Sequence, residues 1–344
     1  MPNGYQPQPG QQPPVGYGDQ GGYGAPQPPT VAPTGPGSGK ALGALICGIC
    51  AMGHSLGYAE TVESLMGVEV PKRAEYLRVI WPELSRIHSH LLWLGLAADA
   101  FCFESMFMHF WLLRERVLDL FEKTTGGRVI LSVVKVGGVV RDIDASQMAE
   151  IVSVLDGIKG EYTQIMNTLL TDTSVKNRTV GVGHITTEDA VALSMVGPFA
   201  RASNLPYDVR SFGRGAYGDL ADFAPITATE GDCYARVKVR CLEVLQSIEI
   251  IKELGAKIPA GDIEVAVKGA PADGAQASNV LEQPRGECYY YARGNGSKNL
   301  ERMRMRTPTS QNLAGMTVAL KGCDLADVNM IILTIDPCIS CTER

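Results

Sequence analysis

Residues 74–101 read AEYLRVIWPELSRIHSHLLWLGLAADAF and carry apolar side chains three and four positions apart. This spacing predicts one long amphipathic helix. Pro71 precedes the stretch, where a helix typically begins, and Pro82 is expected to introduce a kink. The apolar positions that form the stripe are Leu77, Ile80, Trp81, Leu84, Ile87, Leu91 and Leu94.

Further helical patterns lie on both sides of this stretch. The sequence turns helical from about Ser55, and another long helix is predicted over 106–121, with a stop signal at Gly126 and Gly127. Residues 146–171 form a third long periodic segment, for which Ser146 is the expected cap. Residues 231–254 form a fourth, and these lengths are typical of a helical bundle.

The last third of the chain is less helical. Residues 256–284 are rich in Ala, Gly and Pro and are interpreted mostly as loops. Two short strands are predicted at 288–291 and 303–307, separated by a turn at 294–296. The predicted fold class is therefore mainly α, a long-helix bundle with small β elements.

Residues 1–44 differ in kind from the rest of the chain. Half of the prolines lie in the first 40 residues, where only Asp19 and Lys40 carry charge. Such a segment buries too little apolar surface to offset its ordering entropy, so we expect a disordered Pro/Gly/Gln-rich tail over 1–44. The folded domain is expected to span 45–344.

Composition excludes several classes of protein. The net charge is −6, and the alternating Arg302, Arg304 and Arg306 are interpreted as one face of a strand, so no nucleic-acid partner is expected. No secretory signal precedes the domain, and no apolar run reaches the roughly 18 residues needed to cross a bilayer. We expect a cytoplasmic protein, in which paired cysteines indicate metal or redox chemistry.

Two C-x-x-C pairs lie at opposite ends of the domain. Cys47 and Cys50 are followed by His54, while Cys338 and Cys341 follow Asp336 and Pro337. Each pair can place two thiolates within reach of one metal. Spacing alone leaves structural zinc open, although the pairs are far apart for a zinc module and both lie in apolar sequence. The other cysteines are expected to be small buried hydrophobes, namely Cys102, Cys233, Cys241, Cys288 and Cys323.

The residues that flank these pairs carry a family resemblance. C-G-I-C-x-x-x-H at 47–54, with a terminal D-P-C-x-x-C-x-x-R at 336–344, resembles the two metal-binding motifs of [NiFe] hydrogenase large subunits. The stretch 86–95, RIHSHLLWLG, resembles a helix motif shared by energy-converting hydrogenases and the 49-kDa-type subunit of respiratory complex I. Because the complex I subunit lacks the four cysteines, the resemblance favours the hydrogenase branch, a membrane-associated group.

This resemblance implies a ligand set and a reaction. Cys47 and Cys338 would bind nickel terminally, Cys50 and Cys341 would bridge nickel and iron, and the iron would carry CO and CN ligands. Soft thiolates suit these metals. The implied activity is reversible heterolytic H2 cleavage, in which a base takes the proton.

Other positions would complete the site. Cys338 is the expected proton acceptor, since the guanidinium of Arg285 stays charged. Arg285 and Asp336 would shape the outer shell, together with Asp99, for which a solvated helix-end carboxylate is the alternative. His54 is expected to hydrogen-bond a bridging thiolate, with a core histidine as the alternative. Pro284 belongs to the arginine loop Pro284–Glu287 and is expected beside the cofactor.

The resemblance also implies partners. A small subunit with a [4Fe-4S] cluster would receive the electrons, with ferredoxin beyond it and membrane subunits that move ions. The chain would then lie on the cytoplasmic face of the membrane.

The N-terminus departs from the family pattern. Residues 1–44 are foreign to it and contain no glutamate, whereas the family has a folded stretch there that holds a glutamate on the proton exit route. The alternatives are therefore a complex I-like electron-transfer or quinone-module subunit without an active Ni-Fe site, a zinc protein, and a truncated or chimeric inactive remnant.

Overall fold

A computed structural model describes residues 51–342. The predicted disorder of 1–44 and the predicted metal ligands Cys47 and Cys50 lie outside the described residues. The described part is mainly helical, as expected. In chain order the helices are α1 (Ala51–Met66), α2 (Lys72–Ala100), α3 (Glu104–Thr125), α4 (Ala145–Thr171), α5 (Thr173–Thr179), α6 (Thr187–Ala192), α7 (Gly197–Arg201), α8 (Cys233–Ala256), α9 (Pro308–Ala319), α10 (Val328–Ile335) and α11 (Ile339–Thr342).

Helix α2 forms the centre of the hydrophobic core. Its predicted apolar stripe is buried, and both Trp81 and Trp93 are almost fully excluded from solvent. It packs mainly against α3 and α8. The helix continues through Pro82, and Pro71 caps its start, as the sequence indicated. The indole N–H of Trp93 donates to the Leu333 carbonyl at 2.7 Å, which attaches α2 to α10 near the C-terminus.

Local signals set the ends of the other long helices. Helix α3 ends at Gly126, whose φ of +80° places it in the left-handed region that glycine adopts easily, as predicted. The predicted cap of α4 was wrong by two positions. Asp144 accepts a hydrogen bond from the Gln147 backbone N–H, while the Gln147 side chain accepts one from the backbone N–H of Asp144. This reciprocal capping box satisfies two backbone donors, which Ser146 inside the helix does not do.

The described residues contain two small antiparallel sheets. Strands β1 (Val134–Lys135) and β2 (Gly138–Val139) form one pair, and β3 (Gln276–Gln283), β4 (Gly286–Gly294) and β5 (Leu300–Arg306) form the other in that order. The expectation of loops over 256–284 was therefore wrong for β3. Its sequence, QASNVLEQ, has no apolar alternation, and the strand exists because it pairs along its whole length with β4.

The hairpin of β3 and β4 packs against α1 and brings distant parts of the chain together. Its two strands are joined by the two-residue loop Pro284–Arg285, because Gln283 pairs with Gly286. Gly57 on α1 permits this contact, since a Cβ there would lie 2.2 Å from the ring of Tyr290. Among the described residues, no helix has the length and apolar character to cross a membrane.

The cysteines outside the motifs divide into two groups. Cys233, Cys241 and Cys288 are fully buried, as expected for packing residues. Cys102 is exposed instead, and Cys323 is only partly buried. Cys102 lies in the turn between α2 and α3 with a φ of +63°, outside the helices that bury the core.

Candidate metal centre

The second cysteine pair sits on a short, well-anchored turn. Cys338 lies just before α11 and is half-buried, whereas Cys341 lies within α11 and is fully buried. The backbone N–H of Cys341 donates to the Cys338 carbonyl at 3.0 Å, so both thiols belong to one helical turn. Thr309 accepts from the Cys338 backbone N–H at 3.2 Å, and Thr307 donates to the Cys341 carbonyl at 2.6 Å. The start of α9 therefore holds the motif in place.

His54 meets this turn from the other end of the described chain. It lies in the first turn of α1 and is buried, and its Nε2 is 4.0 Å from Cys341 Sγ. Burial lowers the pKa of His54, although the nearby Cys338 opposes this shift. The structure thus places His54 beside Cys341, 287 positions away in the sequence, while the bridging role of Cys341 stays a prediction.

Two side chains that the sequence did not single out hold His54. The Nδ1 atom of His54 lies 2.9 Å from the Tyr290 hydroxyl, and Gln283 Nε2 donates to the same hydroxyl at 2.9 Å. Both partners come from the β3–β4 hairpin. Hydrogen bonding at one imidazole nitrogen fixes which way the other nitrogen faces. Tyr290 is therefore a positioning residue for the imidazole.

Arg285 and Asp336, which the sequence predicts in the outer shell of the site, form a direct ion pair. Arg285 Nη2 lies 2.7 Å from Asp336 Oδ1, and both side chains are 7% exposed. Arg285 Nε also donates to the Asp336 carbonyl oxygen at 2.9 Å. Asp336 has a φ of +58°, a left-handed conformation uncommon for a residue other than glycine. The hairpin tip therefore fixes the bend that leads into the cysteine turn.

A second buried cation faces Asp336. Arg240 on α8 is fully buried, and its guanidinium stacks on the Trp93 ring at 4.3 Å. Burial lowers the pKa of Arg240 to about 10, while Asp336 acts in the opposite direction. Among the described residues, Arg240 Nη2 and Asp336 Oδ2 have no hydrogen-bond partner. No sequence motif singles out Arg240, because its role depends on which helices pack together.

The remaining predicted positions are distributed as follows. Pro284 is buried at the hairpin tip beside Arg285. Asp99 lies exposed in the last turn of α2, and no side-chain hydrogen bond or ion pair in the described chain joins it to Asp336 or Arg285. Its place in the outer shell stays a prediction, as do the roles of Cys47 and Cys50, which the structure does not describe.

Beside the centre lies a set of ion pairs that no sequence motif indicated. We define the buried charge cluster as seven side chains joined by salt bridges and excluded from solvent. Its members are Glu83, Arg86, Arg201, Asp208, Arg210, Glu243 and Glu282. His90 Nε2 lies 2.9 Å from Glu243 and adjoins the cluster. His88 packs against Phe121, and burial lowers its pKa to about 3.

The donor set fits a thiophilic metal group. Cys338 and Cys341 lie on one helical turn, His54 Nε2 lies 4.0 Å from Cys341 Sγ, and Asp336 Oδ2 has no hydrogen-bond partner among the described residues. Cysteine thiolates bind soft transition metals. Within residues 51–342, no group of three or more His, Cys, Asp or Glu side chains is placed to bind a metal ion. Only one of the two cysteine pairs lies in this range.

Comparison with known proteins gives the family. The membrane-bound hydrogenase subunit alpha of Pyrococcus furiosus is 37% identical over 316 residues, covering 87% of this chain and 74% of that protein. A carbon monoxide-induced hydrogenase of Rhodospirillum rubrum is 36% identical, covering 87% and 83%. An NADH-quinone oxidoreductase subunit of Herpetosiphon aurantiacus is 35% identical, covering 81% and 77%.

The chain is thus of a helical class shared by hydrogenase subunits and quinone oxidoreductase subunits. The family model described as respiratory-chain NADH dehydrogenase, 49 Kd subunit, matches residues 102–273 and 264–344. The chain belongs to this family. Its relatives include a subunit of a membrane-bound hydrogenase and a carbon monoxide-induced hydrogenase, in agreement with the resemblance that the cysteine motifs carry.

Proposed function

We propose that the chain is the catalytic subunit of an energy-converting [NiFe] hydrogenase, which cleaves and forms H2 reversibly. The observation that carries the proposal is the meeting of Cys338, Cys341 and His54 beside the Arg285–Asp336 ion pair. These residues come from α1, the β3–β4 hairpin and the C-terminal turn. A packing role alone does not account for thiols and paired charges brought together at one buried point.

Four thiolates would hold the metal group: Cys338 and Cys341, with Cys47 and Cys50 from the preceding segment. When bound, a nickel–iron group with CO and CN on its iron supplies the two-electron redox chemistry that H2 cleavage requires. His54 would hydrogen-bond the Cys341 sulfur through Nε2, since its Nδ1 atom already contacts the Tyr290 hydroxyl.

The protein side of the reaction is electrostatic and proton-handling. Arg285 and Arg240 place two buried positive charges beside one carboxylate, Asp336. Cys338 Sγ is the proton acceptor in the proposal, because Cys338 is half-buried and Cys341 has no exposure. Arg285 keeps its charge throughout and orients the turn.

The proposal includes partners. Electrons would pass to a small subunit with a [4Fe-4S] cluster and from there to ferredoxin. Membrane subunits that move ions would hold the complex at the cytoplasmic face. The name of the Pyrococcus relative, a membrane-bound hydrogenase, supports this setting for the chain.

Elemental analysis combined with infrared spectroscopy tests the proposal. The chain is produced with hydrogenase maturation proteins, and nickel, iron and zinc are measured per chain. About one nickel and one iron per chain, with infrared bands of metal-bound CO and CN, are expected from the four-thiolate site. Zinc alone would instead support the structural-zinc alternative, and no metal would overturn a metal role altogether.

A second candidate function has its own support. The match to the NADH dehydrogenase family, and the Herpetosiphon relative, favour an electron-transfer or quinone-module subunit without a Ni-Fe group. This alternative gives no nickel in the same analysis, so a single measurement separates the two. An inactive remnant predicts neither metal nor quinone binding.

A further inference from the structure

The buried charge cluster contains one carboxyl group more than it has guanidinium groups. Four acidic side chains face three arginines, and every member is 1% exposed or less at its side chain. Burying an unbalanced charge is costly unless it is paired or neutralised. One proton on one of the four carboxyl groups removes the imbalance.

The hydrogen bonds distinguish Glu282 from the other three carboxyl groups. Glu243 accepts from Arg201 at 2.8 Å and faces His90 at 2.9 Å, and Asp208 accepts from Arg210 at 2.7 Å and lies 3.3 Å from Arg201. Glu83 accepts from Ser247 at 2.6 Å and lies near two arginines. Glu282 has one guanidinium partner, Arg201 at 2.9 Å, which it shares with Asp208 and Glu243, and its other oxygen accepts only a long bond from the Val209 backbone N–H at 3.3 Å among the described residues.

The electrostatics agree with this geometry. Burial raises the pKa of Glu282 to about 7, and repulsion from Asp208 adds to the shift while Arg201 opposes it. For Asp208 and Glu243 burial acts in the same direction, but the surrounding arginines outweigh it and lower both pKa values. Two short 3₁₀ segments, Val209–Phe212 and Gly215–Asp219, pack near Glu282. The charged and titratable groups around Glu282 are Glu83, Arg86 and His90 on α2, Arg201 on α7, Tyr207 and Asp208 just before the first 3₁₀ segment, Arg210 and Tyr217 within the two segments, and Glu243 on α8, with Glu60, Glu63, Arg78 and Arg214 along the same cavity.

Two members of the cluster, Glu282 and Arg210, line a cavity. A cavity of about 640 Å³ lies between the C-terminal half of α1, β3 and the 3₁₀ segments, and Glu282 and Tyr217 line it. Exposed residues, among them Gly67 and Arg214, line the same cavity, so water reaches it from the surface. A cavity of this size holds many water molecules.

We propose that Glu282 is a proton-binding site that exchanges protons with solvent through this cavity. A hydronium ion in the cavity transfers its proton to the Glu282 carboxylate and leaves as water, and the reverse transfer occurs at higher pH. Protonation makes the buried charge cluster neutral, because its three guanidinium groups then balance three ionised carboxylates.

The position of this site relates it to the metal centre. Gln283, the next residue of β3, donates to Tyr290, which in turn holds His54 beside Cys341. Proton occupancy at Glu282 thus changes the charge one residue from the hydrogen-bond chain of the centre. The use of this proton in H2 chemistry rests on the proposed function, whereas the proton site itself does not.

Infrared difference titration of the full, metal-free chain tests the site. Between about pH 5 and pH 9 the wild type is expected to lose the C=O band of one protonated carboxyl group, with a midpoint near neutrality. Glu282→Gln, which keeps the side-chain shape and the Arg201 contact, is expected to lack this titrating band. A wild-type chain without such a band, or a Glu282→Gln chain that retains it, would overturn the proposal.

A matched control comes from the same cavity. Burial also raises the pKa of Glu60, whose carboxylate accepts from Asn279 at 2.6 Å and which lies outside the charge cluster. The Glu60→Gln variant is expected to retain the C=O band that titrates near neutral pH. If this variant lacked the band, the proton would be assigned to Glu60 instead. If Glu282→Gln does not fold, Glu282→Asp serves instead. A shifted C=O band in that variant would assign the titration to position 282, and an unshifted band would refute this assignment. Metal content plays no part in any of these outcomes.

Discussion

The ion pair between Arg285 and Asp336 allows a quantitative test of how the hairpin holds the cysteine turn. The Nη2–Oδ1 distance is 2.7 Å and each side chain is 7% exposed, so solvent screens the pair weakly. Arg285→Met removes one partner and leaves a buried carboxylate, which costs about 3 to 5 kcal/mol in the free energy of unfolding. The lost hydrogen bond to the Asp336 carbonyl falls within the same range.

A double-mutant cycle distinguishes the interaction energy of this ion pair from the general destabilisation that each substitution causes. Arg285→Met, Asp336→Asn and the double variant are unfolded in urea, and the free energies of unfolding are compared. The double variant is expected to be about 2 to 3 kcal/mol more stable than the sum of the single effects predicts, because neither charge is then left unpaired. Additive effects within about 0.5 kcal/mol would refute the reasoning.

The same sheet offers a control pair. Arg293 and Glu301 lie 2.8 Å apart, close to the Arg285–Asp336 distance, but their side chains are 43% and 46% exposed. Arg293→Met is expected to cost less than about 1 kcal/mol, since solvent screens exposed pairs. An equal cost at both sites would mean that burial does not decide the strength of these ion pairs.

Three further predictions concern metal, pH and packing. Cys341→Ser is expected to lower nickel and iron content at least tenfold (roughly) in elemental analysis, while Cys241→Ser, a fully buried packing change, leaves the content unchanged. Because the pKa of Glu282 is raised from 4.5 to about 7 in the folded chain, its protonation contributes fully to stability below pH 4.5, the pKa in the unfolded chain. About 3 kcal/mol of that contribution is lost as the pH rises to 7. The wild type should therefore lose this much stability relative to Glu282→Gln over that interval in urea titrations. Gly57→Ala is expected to cost about 1 to 3 kcal/mol by overpacking against Tyr290, because its Cβ would lie 2.2 Å from the ring.

Each of these predictions has an outcome that contradicts it. Equal metal content in the two cysteine variants would remove Cys341 from the ligand set. A stability difference that does not change with pH would mean that Glu282 is ionised in the folded chain. For the packing change, Gly157→Ala is the control, because no atom lies within 4 Å of the added Cβ in the same kind of helix interior. A similar effect at both glycines would assign the change to helix propensity.

The long helices could be predicted because their signals are local. The stripe in α2 and the glycine after α3 act within a few turns of the chain, so spacing alone identified both elements. The cap of α4 was misplaced by two residues, since Asp144 and Ser146 are both good caps and only the reciprocal bond with Gln147 chooses between them. Strand β3 was missed because its polar side chains at Asn279, Glu282 and Gln283 are buried by tertiary contacts.

The residues of the candidate site also fall into two groups, those that a local motif predicts and those that only tertiary contacts reveal. Its cysteines, His54, Arg285 and Asp336 were recognisable because each stands in a short motif with its own spacing. Arg240, Tyr290 and the buried charge cluster carry no such motif. Their roles depend on residues more than a hundred positions apart, such as Glu83 and Arg210, whose approach no local pattern records.

The sequence by itself determined the helical class, the family and the residues of the cysteine motifs, because helix periodicity and short metal-binding motifs are written in neighbouring positions. Only the tertiary structure decided that the β3–β4 hairpin carries Arg285 to Asp336 and Tyr290 to His54. It also decided that seven charged side chains form one buried cluster, in which carboxyl groups outnumber guanidinium groups by one. The physical reason is that burial and charge pairing act through space, and the chain brings these groups together only when its helices and hairpin pack.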